Sequence, residues 1–183
     1  MSDKVLLIAL DIDGTLTTRR GIIHPDNAAA VTRAVKQATS KPVFTKLSPN
    51  VTDITEIAKA CEDAGADGLS LINTVLGMRI DIRKRTPIIK NVTGGLSGPA
   101  IFPVALRMVY QVAHNVSIPV IGLGGISKAE DIVEMMLAGA SAVEIGAANF
   151  TDPFICKKII EELPGLLDSL GVRDIKEIIG GCK

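Results

Sequence analysis

Two glycine-rich stretches, "GLGGI" (Gly122 to Ile126) and "IGAAN" (Ile145 to Asn149), each follow a short apolar run, where a buried strand gives way to a turn. Glycines there expose backbone N–H groups and let an anion approach, and a helix N-terminus behind the turn adds a favourable dipole. A single turn of this kind is explained by tight chain reversal alone, whereas two on neighbouring strands can grip one phosphate. Lys46, in "FTKLSPN", ends another apolar run, where an ammonium would meet an electron-rich ring edge or an anionic ligand. Asn73 and Thr74, in "LINT", end the next one and offer an amide and a hydroxyl. Polar residues at strand ends also cap helices, and position alone does not choose between the two roles. Asp11 and Asp13 follow the apolar run Val5–Leu10, and alternation along an extended strand end puts both on one side.

Elements able to position these residues follow from the patterning. Apolar runs at 5–10, 42–47, 68–72, 118–123 and 142–145 are continuous rather than alternating, as in parallel strands covered on both faces. Amphipathic stretches lie between them: Pro25 to Gln37, with Pro in the first turn, Thr52 to Ala64 before Gly65, and Ser127 to Leu137 before Gly139. "EDAGADGLSL" and "MLAGASAVEI" both give helix, glycine stop, turn and buried strand, a βα repeat. Five such strands fall short of the eight that close a (β/α)8 barrel. The expected fold is therefore α/β: five parallel βα units forming an incomplete, half-TIM-barrel-like sheet. The alternative is an open doubly wound, Rossmann-like sheet whose order reverses at the first strand, and both architectures bind ligands at the strand C-termini. Residues 75–95 break the rhythm with Arg79, Arg83, Lys84, Arg85 and Lys90, and are expected to form a long irregular insertion.

Bulk composition narrows the class. Only 3% of residues are aromatic and Trp is absent, so Ile, Leu, Val, Ala and Met must build the core of a single domain, 1–183. Twenty basic and twenty acidic side chains cancel, which argues against a nucleic-acid surface or a polybasic membrane anchor. Cys61, Cys156 and Cys182 form neither a zinc spacing nor a disulfide framework, and the 5–10 run is too short for a membrane span. A cytoplasmic protein with a small-molecule ligand is expected, with no nucleic acid and no membrane as partners. Open sheet edges would favour a homodimer or coverage by residues 75–95.

From Lys41 onward, "KPVFTKLSPNVTDITEIAKACEDAGADGLSLINTVLGMRIDI", "TGGLSGPAIFPVALRMVYQVA", "IPVIGLGGISKAEDIVEMMLAGASAVEIGAANF" and "IIEELPGLLDSLGV" resemble the second half of class 1 dihydroorotate dehydrogenases, the two-subunit NAD-linked branch above all. The resemblance implies FMN as cofactor and pyrimidine biosynthesis as the setting. Lys46 would contact the flavin, and Asn73, with Thr74 beside it, the pyrimidine. Ser97 and Gly98 would lie along the flavin, with Gly124, Gly125, Gly146 and Ala147 around its phosphate. The family usually carries Thr where Ala147 stands, so a phosphate hydrogen bond of about 1 kcal/mol would be lost. The family's first barrel half, which carries the catalytic cysteine acting as general base, is not among the matching stretches. Little or no dehydrogenase turnover is expected without that base.

"LIALDIDGTLT" (Leu7 to Thr17) instead resembles the first motif of haloacid-dehalogenase-like phosphatases. That resemblance implies Asp11 as nucleophile and Asp13 as proton donor, with Mg²⁺ offsetting the charge and Ser48 available on the second strand. Gly125 stands where a metal-binding Asp would be expected, and Asp131 falls inside a helix, so the Mg²⁺ site would be short of hard oxygens. The two resemblances together suggest a chimera: a phosphatase-type βα unit over about residues 1–35 joined, between Asn27 and Lys41, to a dehydrogenase-type half barrel over 41–183. A fold scaffold without activity is the third possibility.

Overall fold

Fifteen strands and helices follow one another along the computed structural model, which describes residues 8–11 and 24–182. They are β1 (Ile8–Asp11), α1 (Pro25–Ala38), β2 (Val43–Leu47), α2 (Ile54–Asp63), β3 (Gly68–Leu71), β4 (Val75–Gly77), β5 (Ile80–Asp81), β6 (Thr86–Pro87) and β7 (Gly94–Leu96). After these come α3 (Phe102–Ala113), β8 (Val120–Leu123), α4 (Ala129–Leu137), β9 (Ala142–Glu144), α5 (Ala148–Thr151) and α6 (Ile155–Ser169), with short 3-10 turns at Pro99–Ile101 and Ile175–Ile178.

The main sheet runs β1-β2-β3-β8-β9 and every adjacent pair is parallel. Strands therefore lie in the order in which the chain makes them, the arrangement of a barrel fragment. A doubly wound sheet would have reversed at the first strand, and this one does not. Parallel pairing sends every strand C-terminus to the same end of the sheet.

Local chemistry explains the element limits. Asp53 caps α2 by accepting from the Thr55 N–H at 2.8 Å, and Pro25 occupies the first turn of α1. Gly65 and Gly139, at φ 94° and 112°, close α2 and α4 in the left-handed region. Asp67, in the turn into β3, accepts from Lys36 Nζ at 2.7 Å and from the Val43 N–H at 2.6 Å, tying α1 and the start of β2 to the start of β3. The Lys36 hydrogen bond, followed by the Val43 N–H, holds the Asp67 carboxyl below the usual carboxylate range.

All four residues of β3 are buried, whereas β2 alternates. Val43, Thr45 and Leu47 are buried, and Phe44 and Lys46 on the opposite face are half-buried. Thr45 and Thr32 of α1, both fully buried, satisfy one another through a 3.2 Å hydroxyl contact. Leu47, Leu69, Leu71, Val109 and Val120 form the core with the inward stripes of the helices.

Residues 75–95, expected to be an irregular insertion, instead fold as two nested antiparallel ladders, β4 with β7 outside and β5 with β6 inside. Asp81 closes the tip, accepting from the Arg83 and Lys84 N–H groups at 2.9 and 3.0 Å. Strands of two or three residues are too short to leave a periodic trace in sequence, which is why the patterning missed them. Their ladders are internal and join neither edge of the main sheet. Leu76, Ile80, Ile82 and Ile88 along this excursion are exposed.

Leu69 is fully buried at the middle of the central strand. Truncation in Leu69→Ala is expected to lower unfolding free energy by about 2–5 kcal/mol, read as a reduced urea midpoint with unchanged slope.

Candidate functional site

At the C-terminal end of the sheet a cavity of about 240 Å³ is lined by loops from four strand exits and from the segment after the excursion. Lys46 reaches it from β2, Asn73 and Thr74 from the end of β3, and Ser97 and Gly98 from the stretch following β7. Gly124 and Gly125 come from the exit of β8, and Gly146 and Ala147 from that of β9. All of the residues singled out for cofactor and substrate contact thus border one space.

Each wall has a distinct physical basis. The ladder continues past β3 on both sides, Ile72 N–H donating to Leu123 O at 2.9 Å and Asn73 N–H to Leu47 O at 3.0 Å. Asn73 then accepts the Thr74 N–H on its own Oδ1 at 2.9 Å, and β4 rather than a helix follows, so neither residue serves as a helix cap. Lys46 is half-buried, and no described side chain pairs with its ammonium.

The two glycine turns differ in kind. At Gly125, φ is 78°, and a Cβ would lie 2.7 Å from Phe102 N and 2.8 Å from Gly98 O. Glycine is required there by the backbone of the neighbouring turn, whatever binds. Gly146 has no such constraint, with ordinary φ and nothing within 4 Å of a Cβ built on it. Gly98 likewise faces open space. Gly98 and Gly146 both line the cavity, and the protein leaves the space beside each of them free.

At the start of α4, Asp131, 5% exposed, accepts from the Ser127 N–H at 2.8 Å and the Lys128 N–H at 3.2 Å. A carboxylate three residues into a helix reaches back to cap it, and here it takes the N–H groups of Ser127 and Lys128 rather than those of the glycines upstream. Asn149 braces the β9 turn, its Nδ2 donating to Ile145 O at 2.8 Å and Gly146 O at 3.2 Å. Asn149, the apolar wall of Ile72, Leu123 and Ile126, and the 94% exposed Phe150 at the rim were not singled out from sequence. The only hint was the polar–aromatic pair directly after "IGAA".

Asp11 ends β1 in register with Lys46, and Asp13 lies outside the described residues. Ser48 is 3% exposed and accepts from the Asn50 N–H at 3.3 Å. Among the described residues no group of three or more His, Cys, Asp or Glu side chains is placed to hold a metal ion, and no helix is long and apolar enough to cross a membrane.

None of the cysteines lines the cavity. Cys61 is fully buried on α2, Cys156 in α6 donates to Asn149 Oδ1 at 3.4 Å, and Cys182 is exposed in the tail. Burial pushes the Cys61 thiol up to about 11, against a small lowering by Thr32.

A parallel half barrel whose strand C-termini open on a glycine-walled pocket places the chain in the α/β barrel class. The comparisons with known proteins agree. Residues 19–167 match the family model described as dihydroorotate dehydrogenase. The chain is 62% identical over 182 residues to the dihydroorotate dehydrogenase B (NAD(+)) catalytic subunit of Halalkalibacterium halodurans, covering 98% of this chain and 60% of that protein. The subunits of the same name from Geobacillus kaustophilus and Bacillus caldolyticus are 61% and 59% identical over 156 residues, 85% of this chain and 50% of each relative. The chain belongs to the dihydroorotate dehydrogenase family. It spans between half and three fifths of the length of these relatives.

Two outcomes follow from the geometry. Gly125→Ala is expected to destabilise the fold by about 1–3 kcal/mol, read by thermal or urea unfolding, because both its φ and its backbone contacts exclude a side chain. Because the folded Cys61 thiol titrates near 11 rather than 9.0, it resists alkylation at pH 8 while Cys182 reacts. Its contribution to stability is full below about pH 9 and is lost as pH rises towards 11, because there only the unfolded chain releases the proton.

Proposed function

We propose that this chain is the flavin-holding part of a pyrimidine-biosynthetic dihydroorotate dehydrogenase, that it binds FMN in the cavity at the strand C-termini, and that as it stands it does not turn over. The observation that carries the reading is the convergence of Lys46, Asn73, Ser97, Gly98, Gly124 and Gly146 on one space, with the room at Gly98 and Gly146 left free by the protein.

In this reading the β8 and β9 glycine turns take the phosphate, with Ala147 contributing backbone only. Lys46 places positive charge against the ring system, and Asn73 and Thr74 hold a pyrimidine beside it. FMN, when bound, supplies a hydride acceptor. Oxidation of a dihydropyrimidine also requires a base to remove a proton, and among the described residues that line the cavity there is no cysteine, histidine or carboxylate. The NAD(+) linkage in the names of the relatives would bring electrons onward from the flavin. The free cysteines suit a reducing cytoplasm. Among the described residues nothing pairs with the outer edges of β1 and β9 in the main sheet, which supports a homodimer formed through those edges.

Support for a chimera and for a Mg²⁺-dependent phosphatase through Asp11 and Asp13 rests on the "DIDGT" motif alone. The family match beginning at residue 19 and the relative aligned across 98% of the chain both reach into the segment assigned to the phosphatase-like unit. We therefore favour a single dehydrogenase lineage over most of the chain. Metal-dependent release of p-nitrophenol from its phosphate ester, abolished in Asp11→Asn, would reverse that preference.

The deciding measurement is the 350–500 nm absorbance of the protein after incubation with excess FMN and gel filtration. Retained flavin bands are expected, and a flat spectrum would remove the cofactor from this reading. Gly146→Leu is expected to keep stability within about 0.5 kcal/mol, since its side chain enters open space, and to abolish flavin retention.

A further inference from the structure

Asn50, in the loop leaving β2, grips the chain leaving β3. Its Nδ2 donates to Thr74 O at 3.0 Å and its Oδ1 accepts the Leu76 N–H at 2.8 Å. Carbonyl of one residue and N–H of the residue two further on are the pair of groups that a neighbouring strand engages on one edge of an extended chain. The primary amide, one donor and one acceptor on a planar group, reproduces both halves of that pairing with a single side chain. Ser48, buried at the base of the same loop, fixes the amide in turn, its Oγ accepting from the Asn50 backbone N–H at 3.3 Å and from Nδ2 at 3.4 Å.

The location gives this pairing its consequence. Backbone ladders hold the chain leaving β3 as far as Asn73, through Ile72 N–H to Leu123 O and Asn73 N–H to Leu47 O. Beyond Asn73 the chain enters β4 and the excursion, whose strands pair with one another and not with the main sheet. Asn50 thus takes over where the ladder stops, joining the loop after Lys46 to the segment that carries Asn73 and Thr74.

We propose that Asn50 is a positioning residue, a side-chain surrogate for a strand partner that holds Thr74 to Leu76 at the cavity mouth and thereby sets Asn73 and Thr74 relative to Lys46. The ligand contacts it serves rest on the flavin-and-pyrimidine reading above, whereas the latch itself is independent of any ligand. Asn50 does not line the cavity and is placed in no binding role.

Amide hydrogen exchange resolved by NMR tests it in the full chain without added ligand. In Asn50→Ala, exchange at Leu76 is expected to accelerate by about tenfold or more, with α2, the next helix in the chain, unchanged. Asn50→Asp keeps the acceptor and loses the donor, so Leu76 is expected to stay protected while the Thr74–Val75 amide signals shift. Unchanged exchange at Leu76 in Asn50→Ala would overturn the proposal. So would acceleration of equal size in α2 and β2, which would make Asn50 a support of the whole fold. Flavin retention by the same preparations separates the two readings. Colourless unsubstituted protein together with local acceleration in Asn50→Ala sinks the cofactor alone, and yellow unsubstituted protein together with unaltered exchange in Asn50→Ala sinks the latch alone.

Discussion

The double ladder along β3 is the constraint on which the rest of this molecule depends. All four of its residues are buried, and it is hydrogen-bonded to β2 on one side and β8 on the other. A strand enclosed in this way has no solvent to satisfy its backbone, so its register against both neighbours must be kept. The register continues one step beyond the strand on each side, through Ile72 and Asn73. Asn73 is therefore placed by main-chain bonds anchored in the core, and not by a mobile loop.

Close approach at the strand exits follows from the same arrangement. With β8 fixed against β3, its turn must pass the start of α3, and only glycine at 125 clears Phe102 N and Gly98 O. That contact brings the segment after the excursion to the cavity wall, although more than twenty residues separate it from β3 in sequence. Two kinds of glycine result. Gly125 serves the packing of protein on protein, whereas Gly146 leaves space that the protein does not use.

Electrostatics play a local part. Asp67 and Asp131, both acidic residues near element starts, are consumed by structure: one bridges Lys36 and the Val43 N–H, the other caps α4. Carboxylates that accept several N–H bonds are held in place and unavailable to a ligand. Among the described residues that line the cavity, Lys46 is the charged side chain.

Sequence by itself determined the βα rhythm, the parallel class, the helix stops at Gly65 and Gly139, and the position of Lys46, Asn73, Gly124 and Gly146 at strand ends. These are local properties: an apolar run, a cap or a glycine stop acts within a few residues, and a strand followed by a glycine turn marks a strand exit wherever the strand lies. Family resemblance added Ser97 and Gly98, which no periodicity would have marked. Tertiary structure alone decided the sequential strand order over the doubly wound one, because runs of similar apolar residues carry no label for their neighbours. It also decided the nested ladders in residues 75–95, the capture of the α4 N-terminus by Asp131, and the bridge from Asn50 to Thr74 and Leu76. Each of these depends on groups brought together by packing across separations that no local pattern encodes.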